Sequence, residues 1–119
     1  MDSILTSIKK TLGITEEYTH FDADLIMHIN TVLFILTQMG VGAKQGFSIK
    51  DKTATWADFV PINSNLESIK SYVYLKVKLL FDPPANASVI ESSNRLISEL
   101  EWRITQEVDP PSPTAPKQV

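Results

Sequence analysis

The chain contains no cysteine among its 119 residues. That excludes disulfides, thiolate zinc sites and a cysteine nucleophile, and it fits a reducing compartment. Histidine is nearly as scarce, at two residues. The longest apolar run, Val32 to Leu36, falls far short of the roughly 20 residues that span a bilayer. The opening residues, Met1 to Leu5, lack the basic and small-residue features of a signal peptide. Basic residues are few and scattered: 11 Lys and Arg stand against 14 Asp and Glu, for a formal net charge of −3. Lys76 and Lys78 are the nearest thing to a basic cluster, which argues against a phosphate-gripping DNA-binding surface. No G-x-S-x-G elbow and no Walker-type glycine loop occur. Gly40-Val41-Gly42 follows a helical pattern and not a strand, so it is no dinucleotide fingerprint.

What the chain does have is helical periodicity. Ile4, Leu5, Ile8 and Leu12 recur at helix spacing over about 3–12. Asp2 or Ser3 suits the start, Lys9 and Lys10 suit the dipole at the end, and Gly13 suits the residue just beyond. A second helix is predicted over about 23–39, with Asp22 as N-cap and Gly40 as stop. Its apolar residues cover most of its circumference, which predicts burial from several sides, by a neighbouring subunit as well as its own domain. A loop from Gly40 to Lys52 reads as a flexible connector, with Phe47-Ser48-Ile49 as a short extended piece. A brief helix over about 53–59 carries Trp56 and Phe59 on one side and is closed by Pro61.

The clearest amphipathic stripe is Leu66, Ile69, Val73, Val77 and Leu80, predicting a helix over 66–81. Asp82-Pro83-Pro84 ends it. The last helix is expected over 89–108. There Ser88 and Glu91 form a capping-box pattern, and Leu96, Ile97, Leu100 and Ile104 form the apolar face. Two Glu-to-Arg pairs, Glu91–Arg95 and Glu99–Arg103, stand at i,i+4. Beyond Asp109 the chain holds four prolines and no amphipathic pattern, which predicts an extended or disordered tail. The expected architecture is all-α: a bundle of about four helices with a glycine-containing loop, a short extra helix and a Pro-rich tail. The expected division is a helical domain over 1–108 and a tail over 109–119.

Sites for chemistry are hard to find. His28 shares a helix face with Asp24 but lacks the further ligands a metal needs. Glu16-Glu17 and Asp22/Asp24 cluster around a turn and a helix start, where the helix dipole already accounts for acidic residues. No catalytic residue, cofactor or metal site is expected. Core and interface packing are the expected roles of the aromatic residues, given their helical spacing. The candidates for subunit or partner contact are Met27, Phe34, Phe47, Trp56, Phe59, Tyr72, Lys76 and Trp102, with the loops over Gly40–Lys52 and Ile62–Leu66 as further contact segments.

Several stretches together resemble the small head–tail connector (head-completion adaptor) proteins of siphophages that infect Gram-positive bacteria. They are Ile4 to Gly13, Phe21 to Asn30, Leu36 to Gly42, Tyr72-Val73-Tyr74-Leu75-Lys76-Val77-Lys78-Leu79-Leu80-Phe81-Asp82-Pro83-Pro84, and Glu99 to Arg103. The resemblance covers about residues 1–105 and leaves out the Pro-rich tail. It implies a non-enzymatic virion protein, made in the host bacterial cytoplasm. In that reading the protein docks beneath the portal and joins other copies in a ring that follows the twelvefold portal. The ring extends the DNA channel without binding DNA specifically, and it presents a surface to the next head-completion or tail protein. Two features of the residues agree: an apolar helix that invites subunit contacts, and a net-acidic chain that suits a channel through which DNA slides. The alternative is a small helical DNA-binding or regulatory protein. Such a reader needs a polar, basic recognition helix, and the Lys70, Lys76 and Lys78 helix is dominated by Ile, Val, Leu and Tyr.

Overall fold

The computed structural model describes residues 3–42, 45–60 and 66–108, with the backbone alone at 108. Among them are five helices: α1 (Ile4–Leu12), α2 (Asp22–Gln38), α3 (Trp56–Phe59), α4 (Leu66–Phe81) and α5 (Ala87–Val108). The expected tail, and most of the Ile62–Leu66 loop, lie outside the described residues.

The helix ends show why the chain turns where it does. The Thr6 amide donates to Ser3 Oγ at 3.0 Å, capping α1. At the other end Gly13 takes φ 80°, and the Ile14 amide reaches back to the Lys9 carbonyl at 2.9 Å. This is a Schellman closure, which only glycine enters without strain. Gly40 repeats it after α2: the Val41 amide donates to the Leu36 carbonyl at 2.9 Å, and Val41 is buried.

Two expected caps are corrected. Residue Phe21, not Asp22, stands at the cap position of α2, without a side-chain cap bond, because the Asp22 carboxylate is drawn to Lys9 instead. For α5 the capping falls to Asn86, two residues ahead of Ser88. Its Oδ1 accepts the Ser88 amide at 2.8 Å, and its carbonyl accepts the Val89 and Ile90 amides. The helix therefore starts two residues earlier than its apolar pattern indicates.

The helix buried from two sides is α4, not α2. It lies between α2 on one flank and α5 on the other, while α1 leans on α2 and α4. Its inward residues Ile69, Tyr72, Val73 and Val77 are buried. They meet Leu25, Ile29, Val32, Leu33 and Leu36 of α2 and Ile97, Leu100 and Ile104 of α5 in one core. The face of α2 that points away from this core stays open. Its apolar residues predict burial by a neighbouring subunit as well as by its own domain; within the subunit its own domain covers all but about a third of its circumference, among the described residues.

The segment between α2 and α4 is not a flexible connector where it is described. The Asn30 side-chain amide donates to the Ile49 carbonyl at 3.0 Å, and its Oδ1 accepts the Ile49 amide at 2.7 Å. A side chain thus pairs with a backbone residue as a strand neighbour would, and Ile49 is seated in the core. Further on, the Ile4 amide donates to the Ala54 carbonyl at 2.9 Å beside an isolated antiparallel bridge between Ser3 and Thr55. The Asp58 carboxylate accepts the Thr55 amide at 2.8 Å at the start of α3. Trp56 is buried and donates from Nε1 to Ser7 Oγ at 2.8 Å. The N-terminus is clamped to a segment about fifty residues later.

Candidate subunit interface

The eight contact candidates divide by burial. Trp56, Phe59 and Tyr72 belong to the subunit's own core and offer no surface. Phe47 is half-buried with its ring 5.4 Å from that of Phe59. Lys76 is half-buried, its ammonium 5.9 Å from the centre of the Tyr72 ring. The three that remain are open: Met27 is 58% exposed, Phe34 59% and Trp102 63%.

Position on the helix accounts for this division. Along α2 the exposed residues are Ala23, Asp24, Met27, Thr31, Phe34 and Gln38, at intervals of one, three, four, three and four. On a helix of 3.6 residues per turn they form one stripe, directly opposite the buried Leu25–Ile29–Val32–Leu36 row. Trp102 likewise lies on the side of α5 away from Ile97, Leu100 and Ile104. Around it stand Arg95, Ser98 and Glu99, all exposed. The Glu91–Arg95 and Glu99–Arg103 pairs are formed at 3.6 Å each and are well solvated, so they add little to stability.

Polar groups with strong internal partners serve the fold. Lys9 is the foremost: it stands in the last turn of α1 as expected, and it is buried there. Its side chain is 3% exposed. The ammonium donates to the carbonyls of Glu16 at 3.0 Å and Tyr18 at 2.7 Å, and pairs with Asp22 at 2.8 Å. It therefore gathers the whole α1–α2 connection around one charge. The Tyr72 hydroxyl donates to Glu101 Oε2 at 2.8 Å across the α4–α5 seam. Burial, reinforced by that carboxylate, pushes the phenol above its ordinary value. Hydrogen bonds from the Thr53 hydroxyl and amide hold Asp51 below the ordinary carboxylate range.

The histidines serve packing as well. His20 lies edge-on to Phe21, which in turn packs against Phe81 at 5.2 Å, with His28 at 6.5 Å on the far side. A cavity of about 350 Å³ opens between α1, the following loop and Lys50-Asp51-Lys52. The Lys9–Asp22 pair in its wall is already engaged, and Glu16, Lys50, Asp51 and Lys52 line it as well. Among the described residues no three His, Asp or Glu side chains converge to hold a metal ion, and no helix is long and apolar enough to cross a membrane.

The surface of this bundle thus exposes large apolar side chains on α2 (Met27, Phe34), α4 (Leu80) and α5 (Val89, Leu96, Trp102), with Tyr18 in the α1–α2 connection, and no assembled reaction centre among the described residues. The sequence matches the model of the phage connector protein family over residues 4–111. The chain belongs to the phage connector family. No curated protein and no solved structure matches it. Membership makes this connector a structural component of the virion's head–tail junction, a setting of portal, tail and like subunits. The open stripe of α2 and Trp102 are then the surfaces on which contact has to be sought. Sequence reasoning named these residues but missed Asn30 and Lys9. The signal for Lys9 was present: a lysine one residue after Ile8, on the face that carries Leu5 and Leu12, two acids and a turn away from the next helix.

Proposed function

We propose that this connector assembles into a ring beneath the portal, follows the portal's twelvefold symmetry, and extends the channel through which DNA leaves the head. The family match over nearly the whole chain is the observation that carries the reading. The placement of exposed apolar residues supports it. Two separate patches, on the outer faces of α2 and α5, suit head-to-tail contacts, and such contacts close into rings when the rotation closes. The subunit acts without catalysis. The net charge of −3 suits a channel that lets phosphates slide, because a basic lining would hold them by releasing counterions.

In solution the subunit is a monomer or a weak oligomer, and the portal raises its local concentration so that weak contacts add up. The test is electron microscopy of portal-bearing particles incubated with the purified protein. The expected result is a ring of density at the portal exit. Particles that stay bare at saturating protein refute the reading. A salt-dependent shift of duplex DNA at low micromolar protein would favour the DNA-binding alternative instead.

A further inference from the structure

We infer that neighbouring copies meet by one specific helix pairing, in which Trp102 of one copy enters the outer face of α2 of the next. The inference rests on the ring reading above and adds the residues that make the contact.

The geometry of α2 is the first argument. Met27, Asn30, Thr31 and Phe34 stand at i, i+3, i+4 and i+7, the diamond that forms a hole on a helix surface and receives one side chain from a facing helix. Two corners of this diamond, Met27 and Phe34, are large, apolar and more than half exposed. The floor is small: the exposed Thr31 turns its hydroxyl back to the Met27 carbonyl at 3.0 Å. Asn30 is held by Ile49. The hole is therefore apolar at its rim and already satisfied in its hydrogen bonds. Trp102 is the large exposed side chain on α5 that matches it in size.

Register and charge are the second argument. Both α2 and α5 run antiparallel to α4, since Phe21 at the start of α2 packs on Phe81 and Tyr72 pairs with Glu101. The two outer helices therefore point the same way. In a ring whose axis runs along these helices neighbouring copies keep that sense, and setting Trp102 opposite Thr31 then places Arg95, which pairs with Glu91 in the single subunit, opposite Asp24. Each lies seven residues, about 10 Å, earlier on its own helix. Both are exposed. α2 contains Asp22 and Asp24 but no Lys or Arg, so its outer face offers Arg95 an opposite charge and no repulsion.

Size is the third argument, and it selects a second copy in a ring as occupant over a stable dimer. Three side chains about three-fifths exposed supply on the order of 400 Å² of apolar surface between the two faces. A stable pair buries about 800 Å² per partner. The contact is too small to hold two subunits alone, and it recurs once per subunit around a template.

A cross-linking experiment decides the matter, because the natural chain has no cysteine. Thr31→Cys and Ser98→Cys are both exposed, conservative changes, and Ser98 lies one turn before Trp102. The two full-length variants are treated with a short bismaleimide, separately and as an equimolar mixture, at high micromolar concentration. The pairing yields covalent dimers in the mixture and none in either variant alone. Dimers from Thr31→Cys alone mean that α2 meets α2, and dimers from Ser98→Cys alone mean that α5 meets α5. Either result overturns the inference, as does a mixture that gives no product. Trp102→Ala, on an exposed position that leaves the fold intact, should cut the mixed product at least about tenfold, and an undiminished yield also overturns the pairing. Decoration of portal-bearing particles by the wild-type protein is scored in parallel. Rings on the particles without the mixed cross-link refute the helix pairing and leave the ring reading standing. Bare particles refute the ring reading itself.

Discussion

Replacing Lys9 by methionine tests the most consequential buried charge in the connector. Methionine keeps most of the buried apolar stem, so the loss is confined to the ammonium. That group serves two carbonyls, at 3.0 and 2.7 Å, and one carboxylate, at 2.8 Å. A hydrogen bond from a charged donor contributes about 1.5–3 kcal/mol, and breaking a buried pair costs about 3–5 kcal/mol. Two effects hold the sum down. Asp22 is 27% exposed and can be rehydrated, and the folded state no longer has to desolvate an ammonium. The expected net loss is about 3 kcal/mol, out of the 5–15 kcal/mol typical of a domain. For a domain of this size that lowers the melting temperature by roughly 10–20 °C. Urea unfolding followed by circular dichroism measures it directly. Adding Asp22→Asn should restore part of the loss, because the orphaned carboxylate is then neutral, and the two changes should be strongly non-additive. A Lys9→Met protein within 1 kcal/mol of wild type, or strict additivity with Asp22→Asn, would show that the ammonium does not organise the α1–α2 connection.

Other expectations follow from the same contacts. The raised Tyr72 phenol keeps its proton in the folded state to higher pH than in the unfolded chain. Its contribution is therefore complete below the ordinary tyrosine value near 10 and falls away as pH rises beyond it. Tyr72→Phe should lose about 1–2 kcal/mol at neutral pH and show a shallower alkaline decline in a pH series of urea melts. Asn30→Ala removes both bonds to Ile49 and should cost about 1–3 kcal/mol, with the Ile49 amide exchanging its hydrogen faster by nuclear magnetic resonance while core α4 amides change far less. Gly42→Ala sets a methyl 2.9 Å from the Phe59 ring at a residue with φ 81°. The combined strain should cost about 1–3 kcal/mol by thermal melting.

Most of the fold was legible because the helices are written twice, once in apolar spacing and once in their stop signals. Gly13, Gly40 and Asp82-Pro83-Pro84 all end helices as their chemistry dictates. Errors arose where a side chain had two possible uses. Asp22 is a good N-cap, yet its carboxylate is worth more beside Lys9, a partner thirteen residues away that no local rule weighs. Asn86 and Ser88 are both capping residues, and only the three-dimensional path of the chain selects the first. Exposure among the contact candidates was half legible. Bulk and apolarity marked Met27, Phe34 and Trp102 but equally marked Trp56, Phe59 and Tyr72. The difference lies in which helix is central, and periodicity does not rank α2 against α4. Greater apolar content pointed to α2. The helix enclosed on both flanks is α4, because two neighbours share it.

The clamp between Ser7 and Trp56 has a consequence for biosynthesis. Helix α1 rests on an indole forty-nine positions downstream, on the Ala54 carbonyl and on α4, which comes later still. Nine residues of helix do not persist in water unaided. α1 therefore waits, unfolded, until the chain through α4 has been made, and it settles only after elements that follow it in the sequence.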